Sequence, residues 1–186
     1  MGVVWFLLGV MRASRPPRRR ERHLLGSSSS ALIIKEDPFF MATKSNDALI
    51  QEVIDREAIR TLPVRYCHCV WQKDVDGWAN LFTEDGAISA TDASLPRAEG
   101  REALRKMIGS GLDTSKPRPF IHNHVVELLG PDRAKGTCYV EVRLLRDGKK
   151  HYMAGWYDDE YAKVGGEWKF KSRRINIDSF APVNEG

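Results

Sequence analysis

Residues 149–180, KKHYMAGWYDDEYAKVGGEWKFKSRRINIDSF, decide the fold of this chain. β-Branched and aromatic residues are frequent on both sides of the turn sequence VGGE, which predicts an antiparallel hairpin. Two similar runs precede it at 120–130 and 134–146, next to the turn sequences GPDR and RDGKK. The four runs together predict an antiparallel meander.

Helical periodicity predominates before the meander. Apolar residues recur at three- and four-residue intervals from Leu49 to Leu62, and this helix is expected to end or kink at Pro63 before it resumes through 64–72. Helices followed by strands predict an α+β fold in which the helices cover one face of a curved sheet. The remaining predicted elements are a helix at 77–85 capped by Asp74 or Asp76, a strand at 87–91, and a helix at 100–111 ended by Gly109 or Gly111.

The net charge of +4 is concentrated at the start of the chain. Residues 1–40 contain seven basic and three acidic residues, and the remainder is balanced at 22 of each. The folded part therefore carries no basic excess of the kind that binds a polyanion. No stretch approaches the roughly 20 apolar residues that a membrane span requires. We expect neither a nucleic-acid partner nor a membrane.

Residues 1–44 are predicted to form a disordered basic extension, because they combine arginines, prolines and a run of four serines. Their alternative role is a targeting or docking arm. The apolar run at 1–11 is not typical of a signal peptide, since the basic cluster follows it. Met41 begins a conventional soluble sequence and is a candidate natural start. One domain is predicted at 45–181, followed by a C-terminal tail at 182–186.

Three cysteines are an odd number in a chain without a convincing export signal, which indicates reduced thiols and a cytoplasmic location. Cys67, His68 and Cys69 are adjacent on a predicted helix, where their side chains diverge and cannot converge on one ion. We expect no metal and no cofactor.

Four segments resemble, in order and spacing, the SnoaL-like branch of the nuclear transport factor 2-like superfamily. They are REAIRTLPVRYCHCVWQKDVDGWANLFTEDGAI at 56–88, GREAL at 100–104, NHVVELLGPDRAKGTCYVEVR at 123–143 and GWYDDEYAKVGGEWKFKSRR at 155–174. The resemblance implies a cone-shaped α+β barrel, with a strongly bent sheet around the helices, a pocket at the wide end, and a homodimer formed through the open face of the sheet. Such proteins include polyketide cyclases, dehydratases, steroid isomerases and non-catalytic scaffolds.

In dehydratase-like members of this superfamily, a Tyr or Lys, an Asp–His pair and an Arg form the site. Matched along this sequence, the Tyr or Lys position falls on Tyr66 and the Arg position on Arg173. The Asp position falls on Trp71 and the His position on Pro119, and neither side chain can act as an acid or a base. A different register before NHVVEL would bring His122 or His124 toward the vacant place.

The residues themselves favour the same candidates. His122 and His124 are two apart on a predicted strand and are expected to share a face, which suits proton transfer if that face lines the pocket. Arg173 and Arg174 are expected on opposite faces, so only one enters the pocket, and a buried guanidinium requires an anionic partner. The catalytic candidates are Tyr66, His122, His124 and Arg173; the ligand-contacting candidates are Trp71, Asn123, Tyr139 and Trp156.

Two functions remain open at this point. The chain could be a cofactor-independent dehydratase, isomerase or cyclase that acts on a small hydrophobic, cyclic metabolite. It could instead be a non-catalytic ligand-binding or dimerisation module, which Trp71 and Pro119 favour. The two differ in whether the histidines and Tyr66 reach one enclosed cavity. Under either function we expect a cytoplasmic homodimer.

Overall fold

The computed structural model describes residues 44–92 and 95–183. The predicted extension at 1–44, apart from Lys44, and the last three residues of the predicted tail lie outside the described residues. Helices precede the long strands, as predicted. The elements are α1 (Asn46–Gln72), α2 (Val75–Asn80), β1 (Phe82–Ala90), β2 (Ala98–Glu99), α3 (Arg101–Thr114), β3 (Arg118–Leu128), β4 (Arg133–Arg146), β5 (Lys149–Val164) and β6 (Glu167–Pro182).

The strands form one six-stranded sheet in the order β2-β1-β6-β5-β4-β3. The predicted meander from β3 to β6 is antiparallel throughout. Strand β1 joins it by pairing in parallel with β6. The sheet curves around the helices, which confirms the α+β fold.

Helix α1 supplies the residues that fill the centre of the cone. Ser45 caps it, since its hydroxyl accepts a hydrogen bond of 3.2 Å from the backbone N–H of Ala48. The helix continues through Pro63 and does not end there. Its buried face includes Ile59, fully shielded from solvent, and Tyr66. This face places Tyr66 against the concave side of the sheet.

Two predicted helix boundaries are wrong. Helix α2 is capped by Asp74 as expected, but ends at Asn80. Phe82 instead begins β1, because it pairs with Phe170 of β6 and is fully buried beside it. Helix α3 runs past both of its glycines, since Leu112 beyond them is buried in the core. In both places tertiary packing overrides local sequence preference.

Strand alternation separates an inner row of side chains from an outer row. In the inner row, Val126, Gly136, Asp159, Arg173 and Ile88 lie side by side on successive strands. One position away, the outer row contains Val125, Thr137, Asp158, Arg174 and Ser89. Asp159 and Arg173 therefore meet inside the cone.

Candidate functional site

Arg173 is the charged centre of the interior. Its Nε and Nη2 atoms each donate a hydrogen bond of 2.8 Å to the two carboxylate oxygens of Asp159. Both side chains are completely shielded from solvent. The neighbouring Arg174 points outward and pairs with Asp158 at 3.1 Å, its side chain 57% exposed. The predicted opposite orientation of the two arginines, and the need for an anionic partner inside, are confirmed.

Aromatic rings enclose the Arg173 guanidinium. Its central carbon lies 4.0 Å from the ring centroid of Tyr157, 4.1 Å from that of Phe170 and 4.5 Å from that of Tyr66. Such distances allow favourable cation–π contacts. Burial alone would lower the pKa of Arg173, but the Asp159 carboxylate raises it, so the guanidinium stays charged. Its Nη1 atom has no hydrogen-bond partner among the described residues.

The two tyrosines beside Arg173 are neutral phenols. Burial raises the pKa of Tyr66, and the positive charge of Arg173 opposes this shift. Burial also raises the pKa of Tyr157 well above its usual value. Each hydroxyl therefore keeps its proton at neutral pH and can donate a hydrogen bond.

A hydrogen-bonded chain links Asp159 to His124. The Tyr161 hydroxyl donates to Asp159 Oδ2 at 2.9 Å. The oxygen of that hydroxyl lies 3.0 Å from His124 Nε2. Since the Tyr161 hydroxyl donates to Asp159, a hydrogen bond between Tyr161 and His124 requires a proton on Nε2 of the imidazole, with Nε2 as the donor. Burial lowers the pKa of His124, and the negative charge of the Asp159 carboxylate opposes this shift.

The prediction that His122 and His124 share a face is wrong. The register of β3 shifts between them, so that His122 lies opposite Tyr139 while His124 lies opposite Cys138. Asn123 takes up the extra residue with a φ of 28°, in the left-handed region. His124 therefore points inward, and His122 points outward, where its Nε2 lies 3.9 Å from Glu141.

An apolar cavity of about 160 Å³ lies at the Tyr66 end of the site. Tyr66 and Tyr157 contribute to its wall, beside side chains from α3 and from four strands. Its described lining contains no histidine and no charged residue. The lining residues are Tyr66, Ile88, Leu95, Met107, Ile108, Gly111, Ser115, Pro117, Val142, Leu144, Met153, Tyr157, Ile175 and Ile177.

The other predicted site residues lie away from this cavity. His124 is inside the cone but does not line the cavity. Tyr139 is 48% exposed on the outer face of the sheet, and Trp156 pairs directly with it. Asn123 is exposed at the bulge. The structure brings Tyr66 and Arg173 together and leaves His122, Asn123, Tyr139 and Trp156 apart from them.

Sequence reasoning missed Asp159 and Tyr157. A usable signal was present in YDDEY, because strand alternation puts Tyr157, Asp159 and Tyr161 on one face. A carboxylate between two aromatic residues on an inward face demands a cationic partner. The identity of that partner depends on the β5–β6 register, which places Asp159 directly opposite Arg173.

The three cysteines are buried free thiols. Burial raises the pKa of Cys67 and of Cys138 to about 12 each, against the opposing charge of Arg173. Within 44–92 and 95–183, no cluster of three or more histidine, cysteine or acidic residues is arranged to hold a metal ion. No helix in that part of the chain has the length and apolar character needed to cross a bilayer.

A sequence model of the SnoaL-like domain matches residues 51–174, more than half of the chain. The chain belongs to the SnoaL-like family. Solved structures of similar proteins share the fold of this SnoaL-like chain. Among curated proteins, none matches it.

Three similar structures illustrate the range of this fold. A Mycobacterium tuberculosis protein of unknown function is 29% identical, with a TM-score of 0.63 over 70% of this chain and 75% of that one. A putative scytalone dehydratase from Novosphingobium aromaticivorans is 20% identical, with a TM-score of 0.66 over 74% and 93%. The hexachlorocyclohexane dehydrochlorinase LinA-type3 from Novosphingobium barchaimii is 18% identical, with a TM-score of 0.66 over 72% and 93%. The last two show a shared fold, not a shared activity.

In this SnoaL-like protein, the two positions matched to the acid/base pair touch each other. Trp71 Nε1 donates a hydrogen bond of 3.0 Å to the backbone carbonyl of Pro119. The Trp71 ring also packs edge-on against Phe120, and the Arg118 guanidinium lies 4.7 Å from its centroid. Trp71 is thus committed to holding the end of α1 against β3. Neither residue is among those that line the apolar cavity.

Proposed function

We propose that this SnoaL-like protein binds a small, one-ring apolar molecule that carries an oxygen atom, in the cavity beside Tyr66 and Tyr157. The observation that carries the proposal is an apolar cavity whose wall includes two neutral phenols stacked on a buried arginine. A cavity of about 160 Å³ is close to the roughly 150 Å³ that accommodates benzene in an engineered apolar core. Apolar walls with few polar groups are typical of sites for such ligands.

The phenols give this site its selectivity. The Tyr66 hydroxyl donates a hydrogen bond to a carbonyl or hydroxyl oxygen of the ligand, since the Tyr157 hydroxyl interacts with Tyr66. The Arg173 charge behind both rings favours partial negative charge on that oxygen. A ketone or phenol is therefore preferred over a hydrocarbon of the same shape.

A binding role accounts for the site better than acid/base catalysis. Dehydration or isomerisation needs a proton acceptor within about 3 Å of the reacting carbon or one water away. The described cavity lining offers Ser115 and two protonated phenols, but no histidine or carboxylate. We therefore favour the non-catalytic ligand-binding module over the dehydratase, isomerase or cyclase.

Calorimetric titration with two ligands of nearly equal shape tests this proposal. We expect cyclohex-2-enone to bind more tightly than cyclohexene, because only the enone accepts a hydrogen bond. Tyr66→Phe should weaken enone binding up to about 10-fold, the value of one net hydrogen bond, and leave cyclohexene binding unchanged. Tyr139→Phe, on the outer face, is the matched control and should change neither. Failure of both ligands to bind, or equal affinities in the wild type, would refute the proposal.

Two further features belong to the same proposal. We propose a homodimer through the open face of the sheet, where Tyr139 is 48% exposed. Sedimentation compares the mass of the wild type with that of Tyr139→Glu. A monomeric wild type would contradict the dimer, and identical masses of the two proteins would contradict this interface. We also propose a cytoplasmic location, supported by the three buried free thiols. Cell fractionation tests the location.

A further inference from the structure

The walls of the apolar cavity differ in how firmly they are held. Half of the lining side chains come from β1, β4, β5 and β6, whose backbones are paired in ladders. Met107, Ile108 and Gly111 come from α3. A helix is bonded within itself, so it can move away from a sheet without breaking a ladder.

Helix α3 contains two glycines that packing does not require. A Cβ atom added at Gly109 or at Gly111 would meet no atom within 4 Å, and neither residue has a positive φ. Glycine in a helix interior favours the unwound state relative to alanine. Both glycines therefore weaken the second half of α3 without any gain in packing.

The two halves of α3 are anchored differently. In the first half, Arg101 Nη2 donates to the carbonyl of Phe82 at 3.1 Å, Arg105 Nε donates to Asp76 at 2.7 Å, and Leu104 is fully buried. These contacts tie the start of α3 to α2 and β1.

In the second half of α3, Leu112 is the one buried residue. The side-chain hydrogen bonds there are local, from Thr114 and Ser115 to the carbonyls of Ser110 and Gly111. Opening of this half breaks the apolar contacts of Leu112, Met107 and Ile108 but no side-chain hydrogen bond to another described element, whereas the first half is held by both kinds of contact. Segments with fewer tertiary contacts open at lower free energy.

We propose that residues 107–114 of α3 form a movable wall of the cavity, and that displacement of this half of the helix widens the opening through which ligands enter. The same movement lets the cavity accept molecules larger than its volume of about 160 Å³ admits. The entry of a ligand rests on the proposed binding function, whereas the opening of α3 does not.

Hydrogen exchange on the ligand-free protein tests the opening alone. We expect amides at 110–114 to exchange faster than those of Arg105 and Lys106 in the same helix. Gly109→Ala should slow exchange at 110–114 about 5-fold, and the pair with Gly111→Ala about 30-fold, as expected from the helix propensities of the two residues. Thr61→Ala, at an exposed position of α1, is the control and should leave this segment unchanged. Equal exchange in both halves of α3, or no response to the alanines, would overturn the proposal.

Stopped-flow tryptophan fluorescence with 2-naphthol tests the entry. Gly109 does not line the cavity, so Gly109→Ala should slow association with 2-naphthol about 5-fold without weakening cyclohex-2-enone at equilibrium. An unchanged association rate would overturn the gating role. If neither probe binds, the proposed binding function and the entry route are both wrong, while the exchange result still decides whether α3 opens.

Discussion

Substitution of Asp159 by asparagine should destabilise the protein severely. The change keeps the shape of the side chain but leaves the Arg173 charge, which is completely shielded from solvent, without its counter-charge. It also replaces one oxygen that accepts a 2.8 Å hydrogen bond from the guanidinium by a donor group. Loss of one partner of a buried ion pair costs about 3–5 kcal/mol. We expect a loss of this size in the free energy of unfolding.

Urea denaturation measures this loss as a lower midpoint with an unchanged m-value. The matched control is Asp158→Asn one residue away, whose partner Arg174 is 57% exposed; it should cost less than about 1 kcal/mol. The double variant Asp159→Leu with Arg173→Met removes both charges and should lose less than Asp159→Asn alone. A cost below about 1 kcal/mol for Asp159→Asn, or a double variant less stable than the single one, would show that the buried Arg173 charge does not depend on Asp159.

Two more predictions concern β3. Burial lowers the pKa of His124 in the folded protein, so as the pH falls the unfolded chain takes up a proton at this residue before the folded chain does. The contribution of His124 to stability is therefore present above a pH of about 6.5 and is lost as the pH falls toward the lowered folded-state pKa. Urea titrations across this range should show a weaker pH dependence in His124→Gln but not in His122→Gln, and equal slopes would contradict the assignment. Asn123→Val should lower the free energy of unfolding by about 1–2 kcal/mol, because Asn123 has a φ of 28° and β-branched residues are disfavoured in the left-handed region. Thr137→Val, in the regular ladder, is the control and should be nearly neutral. An unchanged stability of Asn123→Val would show that the bulge relaxes.

The sequence predicted the meander well, because strand alternation and turn chemistry act over a few residues. The structure places β5 at Lys149–Val164, between the turn sequences that bound it. The same local logic correctly put Arg173 and Arg174 on opposite faces, and the match to the family motif selected Arg173 as the inner one. Local patterns were sufficient wherever no distant contact competed with them.

Local patterns failed where a distant partner decided the outcome. Phe82 has a helical neighbourhood in sequence, yet it joins the sheet because Phe170 lies beside it. The bulge at Asn123 depends on the pairing of β3 with β4, and β3 contains no glycine that would have indicated a bulge from the sequence. One unrecognised bulge was enough to put His122 on the wrong side of the sheet.

Only part of the site was predicted, because some of its residues are brought together by distant strand pairing. Tyr66 and Arg173 could be located from motifs along the chain, and they do meet. Their partners Asp159 and Tyr157 required the β5–β6 register, which a single sequence does not supply.

Xenon can show whether an empty apolar space exists beside Tyr66, on which the proposed binding site depends. Xenon enters dry apolar cavities without needing a polar contact. With methyl-labelled protein under xenon pressure, we predict chemical-shift changes at Ile88, Val142, Met153 and Ile175, which line the cavity, and none at the exposed Val53 and Val64. Unchanged shifts at the lining methyl groups would show that side chains fill the space and that no ligand site exists there.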